Sequence, residues 1–213
     1  MAHAYPIQLD VTDRLIVIVG GGLVAVRKAA GLAAAGATRV RCVSPTFHAQ
    51  LPGYVERVTA TYDPQHLDGA SLAFAATDSM AVNDAVTRDA RQRGILVGRA
   101  DRSDDAGGNP GDFTVPAVHR AGSITLTVAA GASPAIAAAV RDQLAAALEP
   151  TWVALAGAVA ELRPSIVRSG LPAEQRSDVL RSLASSEAAV AVATGGVAEL
   201  RRWLRLRYPD LTL

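Results

Sequence analysis

The stretch LIVIVGGGLVAVRKAAGLAAAGA, Leu15 to Ala37, decides the fold. Leu15 to Val19 is an unbroken apolar run, as expected of a strand buried on both faces. Three glycines follow where that strand stops. Val24 to Ala35 is rich in alanine and predicts a helix, with Gly36 placed to end it. Gly20-Gly21-Gly22-Leu23-Val24-Ala25 fits G-x-G-x-x-G/A. In that pattern the first glycine permits a tight turn, and the second lets a pyrophosphate approach the backbone. A small third residue lets helix and strand pack closely. The helix N-terminus then offers free N–H groups and a positive dipole end. Strand before, helix after and a place near the N-terminus are the context this motif requires.

Outward from this stretch the alternation continues. Val40 to Val43 predicts a second strand, stopped by Ser44-Pro45, and Val55 to Tyr62 a third. SLAFAAT (Ser71 to Thr77) predicts a fourth strand. Met80 to Arg93 predicts a helix with Asn83 and Asp84 on its polar side, and GILVGRA (Gly94 to Ala100) a fifth strand. Crossovers of this length imply an α/β fold, a Rossmann-type doubly wound parallel sheet with helices on both faces.

The pattern changes after DDAGGNPG (Asp104 to Gly111), a loop by composition. Phe113 to Val118 and Ser123 to Val128 predict a β-hairpin joined through HRAG. Ser133-Pro134 is a helix start, Pro150 a stop. Helix patterns then run to the end, with breaks expected near Pro164 and at Gly170 to Pro172. Three parts follow: residues 1–112, a nucleotide-binding Rossmann-like domain; 113–149, a small hairpin-and-helix unit; and 150–213, a helical domain. The middle part is too small to bury a core alone and needs the first domain or a second copy of itself.

Composition excludes several classes. The net charge is +1 over 213 residues and aromatics make up 4%, so neither a basic field nor base stacking argues for nucleic acid. No basic helix-turn-helix block speaks for a DNA-binding sensor. Cys42 is the single cysteine, which rules out an internal disulfide or a thiolate metal cluster within one chain. His3, His48, His66 and His119 show no paired metal spacing; His48 and His66 read as surface residues, His119 as lying by the hairpin turn. Met1 to Asp10 lacks a signal-peptide pattern, and Ser123 to Val140 is a poor membrane span, so the expected setting is cytoplasmic, without membrane contact. Lys28 is the single lysine and reads as part of a solvated helix face.

In a doubly wound sheet, ligands bind at the carboxyl ends of the strands. Asp78 closes AATD there, and Asp101 closes GRAD. Asp78 is either a helix cap or a site residue. Asp101 precedes a glycine-rich loop rather than a helix, and beside a nicotinamide it would serve as general acid or base. Asp104, Asp105 and Asp112 read as solvated loop charges. The acid that usually binds the ribose at the end of the second strand is missing; Val43-Ser44-Pro45-Thr46 stands there, with Arg41 nearby. Ser44 or Thr46 would take its place, which leaves NAD against NADP open.

GGGLVAVRK (Gly20 to Lys28), FAATD (Phe74 to Asp78) with Val82-Asn83, the acid of GRAD, DFTVPAV (Asp112 to Val118) and ASP (Ala132 to Pro134) occur in order. Together they resemble the precorrin-2 dehydrogenase family, the dehydrogenase and ferrochelatase module of sirohaem synthase, over about residues 1 to 148. The resemblance implies NAD-dependent oxidation of precorrin-2 to sirohydrochlorin, and in some members insertion of ferrous iron. It also implies an intertwined homodimer built through the middle unit. Asp101 falls on the family's catalytic aspartate. Gly20, Gly21, Gly22, Leu23, Val24, Pro45, Thr46, Thr77 and Asp78 fall on its cofactor positions. The substrate carries many carboxylates, for which Arg99, Arg102 and Arg120 are candidate partners, each otherwise an ordinary surface arginine. The chain departs from the family in three places. Ala129-Ala130-Gly131 replaces a longer, hydroxyl-bearing turn, Gly98 stands where asparagine is common, and the loop after Asp101 is longer and richer in glycine. The altered turn keeps a second class in view, a non-catalytic NAD-binding sensor or tetrapyrrole carrier.

Overall fold

The computed structural model describes residues 5–100, 111–131 and 133–212. Its chain divides into two compact units, Met1–Val115 and Pro116–Leu213.

The first unit is built on β1 (Leu15–Val19), β2 (Arg39–Ser44), β3 (Glu56–Thr59), β4 (Leu72–Ala75) and β5 (Leu96–Arg99). They form one parallel sheet in the order β3-β2-β1-β4-β5. Helices α1 (Leu23–Ala33) and α2 (Met80–Gln92) and a short 3-10 helix at Pro64–Leu67 connect them. All five residues of β1 are buried, because its two faces feed two cores. Ile16 and Ile18 join Ala25, Ala29 and Leu32 of α1 together with Cys42 and Phe74. Leu15, Val17 and Val19 join Val86 and Ala90 of α2 with Ala73, Ala75 and Val97. Each fully buried side chain of this size contributes about 1.5–3 kcal/mol, so the central strand anchors both layers. The strand order reverses between β1 and β4, with the next strand lying on one side of β1 and β4 on the other. In a doubly wound sheet the ligand crevice opens there, at the carboxyl ends.

The second unit holds β6 (Ala117–Ala121) and β7 (Ile124–Val128), an antiparallel hairpin, with α3 (Pro134–Ala147) packed on it. It also holds α4 (Pro150–Arg168), α5 (Ala173–Ser182) and α6 (Ser186–Arg207). These helices share a core that includes Leu155, Leu162, Ile166, Val179, Leu200 and Leu204. Ser133 caps α3 by accepting from the Ile136 N–H at 3.3 Å.

Two sequence expectations change here. Pro164 does not break a helix; it lies inside α4. A proline there removes one helix hydrogen bond and costs about 3 kcal/mol. Burial of Leu155, Ala158, Leu162 and Ile166 along one side of α4 carries the helix through it. The hairpin also turns later than HRAG suggests. Ala121 pairs with Ile124, so the turn is Gly122-Ser123, where Gly122 has φ +55°. His119 therefore pairs with Leu126 in mid-strand rather than lying at the turn. Among the described residues no single helix is long and apolar enough to cross a membrane.

Candidate functional site

The three glycines after β1 have three different environments. Gly20 has φ +122°, and a Cβ on it would collide with the Ala76 carbonyl oxygen. Gly21 is squeezed from the other side: a Cβ there would collide with the Thr46 carbonyl and lie 2.8 Å from Ser44 Oγ. Gly22 is the N-cap of α1, and a Cβ there would meet nothing within 4 Å. The first two glycines are thus required by the protein's own packing. The third leaves space open in front of the helix.

That packing brings the sequence-predicted stretches together. The Gly20–Gly21 turn touches the loop after β4 at Ala76–Thr77 and the loop after β2 at Ser44–Thr46. The His48 N–H donates to the Gly21 carbonyl at 2.7 Å, and the Gly20 N–H to the Val43 carbonyl at 2.9 Å. Gly20, Gly21, Thr46 and Thr77 therefore meet at the carboxyl ends of β1, β2 and β4, where the crevice of a doubly wound sheet opens, with Pro45, Asp78 and the start of α1 adjoining them in the chain. Leu23 and Val24 form the first turn of α1, with Leu23 exposed. No side chain caps this helix and no acid lies in its first turn, so its leading N–H groups are available to an anion.

Two buried side chains bond the backbone of these loops. Cys42, on β2, donates its thiol hydrogen to the Gly20 carbonyl at 3.1 Å. Burial pushes that thiol up to about 11, against the small opposing effect of Arg57, so it stays protonated. Asn83, on α2, is fully buried rather than on a polar face. Its Oδ1 accepts from the Thr77 N–H at 3.1 Å and from the Thr77 hydroxyl at 2.8 Å. Its Nδ2 donates to the Thr77 carbonyl at 2.9 Å. Sequence reasoning took Asn83 as part of a motif and placed it on the wrong side of the helix. The signal was there in its spacing: an amide one turn into a helix is within reach of the loop that leads into it.

Asp78 is exposed and caps nothing; Ser79 takes the cap, accepting from the Val82 N–H at 3.4 Å. Asp101 and Arg102 lie outside the described residues, as do Asp104 and Asp105. Asp112 is not a free loop charge. Its carboxylate accepts from the Val97 N–H at 3.0 Å and pairs with Arg91 at 2.7 Å, which fastens the segment after the loop to the edge of β5. Arg99 is paired with Asp84 of α2 and nearly covered. Arg41 is paired with Glu56 at 3.0 Å across β2 and β3, which leaves the Ser44 and Thr46 hydroxyls at the end of β2. Arg120 is exposed on β6.

Gly98 also has a packing reason. A Cβ there would lie 2.8 Å from the Phe113 ring, which stacks edge-on to Phe74 with centroids 5.4 Å apart. Phe113 fills the room that a larger residue at 98 would need. Lys28 departs from the expected solvated face: its ammonium lies 5.4 Å from the centroid of the Phe74 ring. Burial, helped by the neighbouring Arg27, lowers its pKa. Among the described residues no three His, Cys, Asp or Glu side chains gather as metal ligands do.

Comparison with known proteins bears on this crevice. A solved structure titled "SirC, precorrin-2 dehydrogenase" shares the fold, with TM-score 0.73 and 21% identity, covering 95% of this chain and 98% of that one. "Siroheme synthase" of Methylobacillus flagellatus is 33% identical over 177 residues, covering 80% of this chain and 37% of its own length. "Siroheme synthase" of Pseudomonas aeruginosa strain UCBPP-PA14 is 32% identical over 210 residues, covering 95% of this chain and 43% of its own. The chain thus spans less than half the length of these curated relatives. A family model described as "Putative NAD(P)-binding" matches residues 7–117, from the approach to β1 into β6. With the glycine turn, the uncapped helix and the switch point all inside that match, the chain belongs to this NAD(P)-binding family.

Proposed function

We propose that this chain oxidises precorrin-2 to sirohydrochlorin with NAD, as a cytoplasmic homodimer. The observation that carries the reading is likeness along nearly the whole chain, beyond the nucleotide domain, to a fold titled a precorrin-2 dehydrogenase. The curated relatives named for sirohaem synthesis support it.

The residues present fit a dinucleotide. Gly20 and Gly21 let the three loops close on one another, and the space before Gly22 lies at the uncapped start of α1. The N–H groups at Gly22, Leu23 and Val24 would hold the pyrophosphate. Ser44, Pro45 and Thr46, at the end of β2, and Thr77 and Asp78, after β4, would hold the rest of the cofactor. When bound, NAD supplies a hydride acceptor. The macrocycle loses a hydride and a proton, and the Asp101 carboxylate takes the proton. A second copy covers the second unit through Ile136, Val140 and Leu144, an exposed apolar stripe at helical spacing on α3.

The test is anaerobic turnover of precorrin-2 with NAD, followed by absorbance of the reduced cofactor. Cofactor reduction with sirohydrochlorin formed is expected, and Asp101→Asn should fold, bind NAD and lose most turnover. Ferrous iron added afterwards tests the bifunctional reading, in which the same cleft also inserts the metal. Binding of both ligands without cofactor reduction would overturn the dehydrogenase in favour of a sensor or carrier.

A further inference from the structure

We propose that Asn83 is a positioning residue for the dinucleotide, locking the β4–α2 loop in the form that closes the crevice. The proposal rests on the NAD(P)-binding reading of the site and not on the identity of the second substrate.

Asn83 uses three of the four hydrogen-bonding positions of its amide on one loop residue. Its oxygen accepts twice from Thr77, and its nitrogen donates to the Thr77 carbonyl. A loop residue with its N–H, C=O and hydroxyl all held by one side chain has little freedom left. Asn83 is itself fixed. It is fully buried, and its own carbonyl accepts the Thr87 hydroxyl at 2.7 Å. The held loop is the one that abuts Gly20, where Ala76 and Thr77 occupy the room a side chain would take. The glycine turn and the Thr77 loop are thus two walls of one crevice, and Asn83 sets the position of the second. The Thr77 hydroxyl also accepts the Ser79 N–H at 3.2 Å, which ties the lock to the start of α2. Without Asn83 the loop would have to be ordered by the ligand, at an entropic cost to binding.

The test compares NAD affinity of the full chain with that of Asn83→Ala and of Val86→Ala. Val86 is equally buried in α2 but contacts the core rather than the loop. Both variants should lower the thermal midpoint, whereas only Asn83→Ala should weaken NAD, by tenfold or more. Parallel weakening in both would reduce Asn83 to a structural residue and overturn the proposal, as would an unchanged affinity in Asn83→Ala. A second measurement needs no variant and holds if Asn83→Ala does not fold. With NAD at a hundred times its dissociation constant, exchange of the Thr77 amide in the unaltered protein should slow about a hundredfold, because opening the lock competes with binding. Exchange of that amide unaffected by NAD would overturn the proposal. Absence of NAD binding by the unaltered chain would instead overturn the dinucleotide reading, and this inference with it.

Discussion

Gly22→Ala separates binding from folding. Gly22 has φ −83°, which alanine adopts without strain, and its Cβ would meet nothing within 4 Å. The only intrinsic cost is at the helix N-cap, where alanine is worse than glycine by about 1 kcal/mol or less. For a chain of this size that lowers the thermal midpoint by about 2–4 °C. The methyl group would stand where the pyrophosphate must approach, so NAD affinity should fall at least tenfold, about 1.4 kcal/mol. Gly21→Ala is the counterpart. Its Cβ would collide with the Thr46 carbonyl and crowd Ser44. Backbone would have to move, at about 1–3 kcal/mol, so stability should fall with or without ligand. Calorimetric titration with NAD alongside thermal melts reads both quantities. If Gly22→Ala bound NAD as tightly as the unaltered chain, the pyrophosphate would not pass this glycine and the assignment of the crevice would fail.

Two further predictions concern stability rather than ligand binding. The Cys42 thiol ionises near 9 when unfolded and near 11 in the folded chain, so the unfolded state loses its proton first as pH rises. Stability from this group is complete below pH 9 and is lost between there and pH 11, by about 2–3 kcal/mol. Denaturant melts of the unaltered chain and Cys42→Ala across that window check it; equal slopes in pH for both would refute it. Pro164→Ala restores the missing hydrogen bond of α4 at an exposed position and should stabilise the helical unit by about 1–3 kcal/mol. A melt showing no gain would mean that α4 has already adjusted around the proline.

The sheet was legible because its signals are local. A continuous apolar run, a glycine triplet and an alanine-rich helix within Leu15 to Ala37 need only near neighbours in the chain to be read. The same holds for Ser133-Pro134 opening α3. The meeting of the loops was legible for a related reason: in a doubly wound sheet, strand ends converge by topology, so naming the strands names the loops that meet. Lys28, Cys42 and Asp112 were not legible. Each was assigned to solvent or given no role, yet each has a partner from a distant element: Phe74, Gly20 and Val97. Which partner covers a polar group depends on which faces pack, and spacing along the chain carries no record of that. Pro164 makes the same point with opposite sign. Local propensity says that a helix ends there, and burial of the side chains around it outweighs the lost bond. Sequence alone determined the strands and helices of the parallel sheet, their succession and the loops that meet at its carboxyl ends. Tertiary structure decided how those loops are held against one another, because contacts such as Cys42 with Gly20 and Gly20 with Ala76 join residues far apart in the chain.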